Sequence, residues 1–203
     1  MKITSVANRV ARWMQHLGIV DPKMLLVYAY GMELLLSGVI NVFMIMVISA
    51  VLRCPFAWII FLLAFIPQRI TAGGYHSTTH FRCVMLGTTV FTVFLLAVKI
   101  IPQQLLPKIA VLTCVVDLVA VLLFAPIQVA HKPMLTERLK KNRHISIILA
   151  LVSLISSIVF SAWIPNIVEL LRYYYSGVAV AGISLVAGKY IHGERGEKDD
   201  ENS

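Results

Sequence analysis

Between Arg69 and Cys83 the chain gathers one cysteine, two histidines (His76 and His80) and two arginines (Arg69 and Arg82) around the paired glycines Gly73 and Gly74. These are the ingredients of a thiol nucleophile. A cysteine becomes reactive when its thiolate fraction is raised by a neighbouring histidine or positive charge. Spacing decides which histidine can serve. On a continuous helix, His76 shares a face with Cys83 but lies about 10 Å from it along the axis. The two can meet only if the chain bends at Gly73 and Gly74, where positive φ is free of a Cβ clash, and a new helix starts near Thr79. Cys83 would then sit in a first helical turn, where the helix dipole favours an anion. His80, three residues before Cys83, meets it without any bend and is the base that spacing alone favours. Two other readings use the same residues. Cys83 can be a packing cysteine beside two loop histidines. Alternatively, His76, His80 and Cys83 at i, i+4 and i+7 can face a zinc ion, although no acidic residue nearby offers support.

The elements around this stretch are apolar. Of 203 residues, 59% are hydrophobic and 14% charged, with a mean hydropathy of +0.82. Soluble domains carry roughly a quarter charged residues, so the composition points to an all-α polytopic membrane protein forming one domain over 1–190. Residues 3–17 have helical apolar spacing with Arg9, Arg12 and Trp13, the pattern of an amphipathic helix at a membrane interface or on its own protein. Six apolar segments follow, at 25–52, 56–66, 84–101, 108–125, 145–164 and 167–190. The second is only eleven residues between Pro55 and Pro67, against the roughly 17–25 needed to span. A basic loop covers 131–144, and a charged, irregular tail is expected over 191–203. The three cysteines, Cys54, Cys83 and Cys114, form no CxxC pair and suggest no disulfide framework.

Positive charge orients such a chain. With the N-terminus inside and all six segments crossing, fourteen of the eighteen lysines and arginines fall in inner segments, including Arg69, Arg82 and the basic loop. Without a crossing by 56–66 the basic set would be divided between the two sides. The expectation is therefore a cytoplasmic 69–83 stretch in a multi-pass cell-membrane protein, with the bilayer as its surroundings.

The run from Arg69 through Gly73, Gly74, Tyr75, His76 and Ser77 to Cys83 resembles the signature of the accessory gene regulator B (AgrB) family, the membrane cysteine endopeptidases of Gram-positive quorum sensing. The likeness extends to the length, the amphipathic start, the six apolar segments and a basic loop with Lys132-Pro133 after Ala125-Pro126. It implies Cys83 as nucleophile and His76, not His80, as general base, with Arg69, Gly73 and Gly74 supporting them. It implies as substrate a propeptide similar to AgrD, cut at its C-terminal tail and cyclised to a thiolactone or lactone through an acyl-enzyme thioester. The acidic tail typical of such propeptides would suit Arg82, Lys132, Lys140 and Lys141. A homodimer is compatible with the likeness, although Gly177, Gly182 and Gly188 lack the GxxxG spacing. No cofactor, metal or nucleic acid is expected.

Ionisable residues within spans invite functional readings. Asp117 and Glu33 are candidates for a third catalytic member orienting His76. In a competing class, a small transporter or channel subunit, Glu33, Asn41 and Asp117 would line a path and 69–83 would be a gating loop. Cys114 reads as helix packing and Cys54 as a residue at the outer boundary.

Overall fold

The computed structural model describes residues 3–19, 21–74, 80–127, 136–163 and 165–201. Every regular element among them is helical: α1 (Ile3–His16), α2 (Leu25–Val51) after a short 3-10 turn, α3 (Ala57–Ala72), α4 (His80–Ile100), α5 (Leu106–Phe124), α6 (Thr136–Trp163) and α7 (Pro165–Glu201). Four stretches, Leu25–Val51, Phe81–Ile100, Leu106–Phe124 and Glu137–Ser161, are long and apolar enough to cross a membrane. Their outer faces carry large apolar side chains such as Leu26, Val39, Leu86, Leu123 and Ile155, all exposed. Water would penalise that surface at about 25 cal/mol per Å², whereas lipid accepts it. The chain is an all-helical, multi-pass membrane protein.

Three boundaries depart from those read from sequence. The second apolar segment, 56–66, lies in a longer helix, because α3 continues through Pro67 to Ala72 and so extends the segment by its flank. Proline removes one backbone N–H, but membrane helices tolerate this when neighbouring groups take up what is freed. The carbonyl that loses its donor is that of Leu63, one turn back. Beyond the proline, Thr71 Oγ1 donates to Pro67 O at 2.9 Å and Gln68 and Arg69 find partners on other helices, which hold the end of α3 in place. The second departure is in the basic loop, whose latter half is helical. α6 starts at Thr136, with Glu137 in its first turn, and the lysines and arginines up to Arg143 are good helix formers. Third, α7 carries the tail on as helix to Glu201.

The chain divides into two compact units. The first comprises residues 1–55 and 77–92, that is α1, α2 and the N-terminal part of α4. Helix α1 packs on α2 through the buried methyl groups of Ala7 and Ala11, and Thr4 Oγ1 donates to Glu33 Oε1 at 2.7 Å. Its other side leaves Arg9, Arg12 and Trp13 exposed, so α1 has both a protein face and an amphipathic outer face. The second unit holds residues 56–76 and 93–203, with α7 packed against α3, α5 and α6. One core cluster joins Ala72, Ala120, Val121, Ala125, Ala150 and Leu185, and another joins Ala64, Ala110, Cys114, Tyr175 and Val178. Small residues dominate both, as close helix packing in lipid requires. At Gly177 an added Cβ would lie 2.5 Å from Phe61 O, and at Gly182 one would lie 2.9 Å from Asp117 Oδ1. Gly177 and Gly182 thus serve packing within the chain.

Candidate functional site

The polar end of α3 is fixed from three directions, all within the second unit. Gln68 is buried and its Nε2 donates to Asp117 Oδ2 on α5 at 2.8 Å. Arg69 Nη1 donates to Ser184 Oγ on α7. Ile127 N, in the segment following α5, donates to Ala72 O at 3.0 Å and so caps a carbonyl that the helix end would leave open. The chain then leaves the helix through Gly73 at φ +82 and Gly74 at φ +147. A Cβ on Gly74 would overlap the Arg69 guanidinium and stand 2.7 Å from Ser184 Oγ. Glycine is required there both by the backbone and by the arginine lying against it.

The helix break at Gly73 and Gly74 coincides with the bend that the His76 argument needs. α3 ends at Ala72 and α4 begins at His80, so no single described helix runs through 73–83. His76 itself lies outside the described residues, as does Lys132. His80 opens α4, and Cys83 is its fourth residue, exposed and with a free thiol. It lies within the first turn, whose backbone N–H groups have no partner inside the helix. Phe81 and Arg82 beside it are also exposed. Of the trio considered for zinc, His80 and Cys83 share α4. No group of three metal-binding side chains gathers among the described residues.

The two acids considered as a third catalytic member both have packing partners. Asp117 is 1% exposed and receives Gln68, while Glu33 receives Thr4. Asn41, the remaining member of the transporter set, accepts from Thr88 Oγ1 at 3.1 Å. Each of the three is thereby engaged in a helix-to-helix hydrogen bond. Cys114 is buried and its Sγ contacts Ser153 O at 3.5 Å, a packing role, and Cys54 is half-buried. Lys140 and Lys141 are exposed in the first two turns of α6, together with Arg138 and Arg143. Gln68, Ile127 and Ser184 were not identified from sequence. The only signal for any of them is the polar pair Gln68-Arg69 just after an apolar block.

The Gln68–Asp117 bond makes a stability prediction. Replacing Gln68 by Leu leaves the Asp117 carboxyl buried without its donor, which costs about 1–3 kcal/mol. Thermal unfolding of the detergent-solubilised protein should show a lower midpoint for Gln68→Leu. An unchanged midpoint would mean that the bond contributes nothing net.

Neither a curated protein nor a solved structure matches the chain. The family model for accessory gene regulator B matches residues 5–187, from the start of α1 almost to the end of the apolar part of α7, and includes the α3 end, the glycine break and Cys83. The chain belongs to the accessory gene regulator B family.

Proposed function

We propose that the protein is a cysteine endopeptidase that removes the C-terminal tail of an AgrD-like propeptide and closes the remaining peptide into a ring. The observation that carries this reading is the family match spanning Cys83 together with the exposed thiol of Cys83 in the first turn of α4. In the first step His76 takes the Cys83 proton and the thiolate attacks a peptide carbonyl. The amide C–N bond breaks, and the proton passes from His76 to the leaving tail amine. A thioester to Cys83 remains. A cysteine thiol or serine hydroxyl within the propeptide attacks that thioester, giving a thiolactone or lactone and returning the proton to the Cys83 sulfur. Cyclisation competes with hydrolysis, so water must be kept away, which a site among membrane helices is suited to do.

In this reading all six of α2 to α7 cross the bilayer and the catalytic stretch faces the cytoplasm, where the precursor is made. The root of the His76 segment and the root of the basic segment are held together by the Ile127–Ala72 hydrogen bond. Both segments therefore set out from one point of the second unit.

The test is tail release on co-expression with a small propeptide carrying an amphipathic helix, a Cys- or Ser-containing segment and an acidic tail. The reading requires cleavage that is insensitive to chelators. Chelator-sensitive cleavage would turn the argument towards a metal. Reversing charge with Lys140→Glu and Lys141→Glu together should raise KM about tenfold, with kcat nearly unchanged and the effect fading in high salt. A fall in kcat alone would exclude steering by this helix face.

A further inference from the structure

In the first unit, a hydrogen bond between α2 and α4 lies close to the proposed nucleophile. On α2, Ser37, Asn41, Ile45 and Ser49 recur every fourth residue and form one stripe, of which Ser37, Ile45 and Ser49 are buried. On α4, Val84 and Phe91 are buried and Thr88 lies on the same face between them. Thr88 Oγ1 donates to Asn41 Oδ1 at 3.1 Å. The neighbouring Gly87 lets the Asn41 amide come close, since a Cβ there would stand 3.0 Å from Nδ2 and 3.2 Å from Oδ1.

A single polar pair between two helices contributes little stability in lipid, about 0.6 kcal/mol on average. Its stronger effect is on register, because the Thr88 hydroxyl and the Asn41 amide meet at one height of α4 against α2, the height at which Gly87 leaves room for the amide. The nucleophile needs such a constraint. Phe81, Arg82 and Cys83 are all exposed, and Val84 is the first buried residue of α4 among those whose side chains are described. Cys83 lies one turn before Gly87 on nearly the same face, about 6 Å along the axis. Whatever fixes the height and rotation of Gly87 and Thr88 also fixes those of Cys83.

We infer that Asn41 and Thr88 are positioning residues for the reaction: their hydrogen bond, seated on Gly87, locks the register of α4 against α2 and sets the height at which Cys83 meets its substrate. This rests on the proposed role of Cys83. Misplacing a reacting group by about 1 Å can cost a hundredfold in rate, so a bond of small energetic value can have a large kinetic one.

The test compares Thr88→Val, which keeps the shape and loses the hydroxyl, with Thr88→Ser, which keeps the hydroxyl, in the full-length protein. Thr88→Val should lower kcat for tail release about tenfold with KM within about twofold, and Thr88→Ser should stay within about twofold of wild type. A second readout needs no catalysis. In a Cys54→Ala background, with Cys114 buried, the maleimide labelling rate of Cys83 in detergent should change in Thr88→Val and not in Thr88→Ser. Wild-type kcat and labelling in Thr88→Val would overturn the inference. Equal impairment of both variants would also overturn it, because the hydroxyl would then not be the agent. Should Cys83→Ala retain cleavage, the endopeptidase reading fails, while the labelling comparison still decides whether the pair sets the register of α4.

Discussion

Cys83→Ala and His76→Ala are each expected to abolish tail release, with a loss of at least about a thousandfold, while His80→Ala keeps most of the activity. Nucleophile and base act as a unit, so the Cys83→Ala/His76→Ala double variant should be no worse than either single one. Cys83→Ser is a sharper probe. Its hydroxyl ionises far less readily than a thiol, so turnover should fall nearly as far, and any acyl-enzyme formed would be an ester in place of a thioester. The histidine arm separates two arguments of different kinds. Spacing along a helix favours His80, three residues before Cys83, whereas the family likeness favours His76. The chain is not one helix here: α3 stops at Ala72, Gly73 and Gly74 take positive φ, and α4 starts at His80. That removes the geometric objection to His76 and leaves the choice to experiment. The measurement is tail release on co-expression, with membrane abundance of each variant followed in parallel. Cleavage surviving in Cys83→Ala would sink the mechanism, and loss confined to His80→Ala would transfer the role of base.

Much of the helical fold was legible because its signals are local. Long apolar stretches mark α2, α4 and α5, and the periodicity of residues 3–17 marks α1. The boundaries that were misread are those where a local signal is outweighed by the tertiary setting. Pro67 closes the apolar block in sequence and leaves open an extension by its flanks; Gln68 and Arg69, bonded to α5 and α7, hold α3 in the turn and more that follows it. The charges between Arg138 and His144 read as a loop, yet nothing in them breaks a helix, and α6 begins before them. At the site, the glycine break and the position of Cys83 were visible in the residues themselves. The partners were not. Arg69 and Ser184 stand 115 residues apart, and Asn41 and Thr88 stand 47 apart. Neither pairing leaves a periodic trace in a single sequence. Asn41 and Asp117 were noticed as polar residues in spans, but only the fold shows that their partners are Thr88 and Gln68 on other helices.

Gly74→Ala should reduce tail release about a hundredfold while the protein still reaches the membrane. Two costs coincide at this position. A backbone at φ +147 is glycine territory, and forcing a side chain into such a region costs on the order of 1–3 kcal/mol. The Cβ would also collide with the Arg69 guanidinium, which is itself held by Ser184. The new methyl group must therefore either displace Arg69 from α7 or push the chain that leads, two residues later, to His76. A double-mutant cycle tells these apart. If displacement of Arg69 is the whole cause, Gly74→Ala in an Arg69→Ala background adds no further loss, because the space is already empty. If the backbone strain dominates, the two losses add. Ser184→Ala offers a milder perturbation, since it removes one partner of the guanidinium without crowding the glycine, and should cost only severalfold. Wild-type tail release by Gly74→Ala would show that Arg69 and the glycine pair do not govern the approach of the base. The cycle then also weighs the position of the His76 segment against the charge of Arg69, because removing the arginine alone abolishes its charge and leaves the glycine backbone free to keep its course.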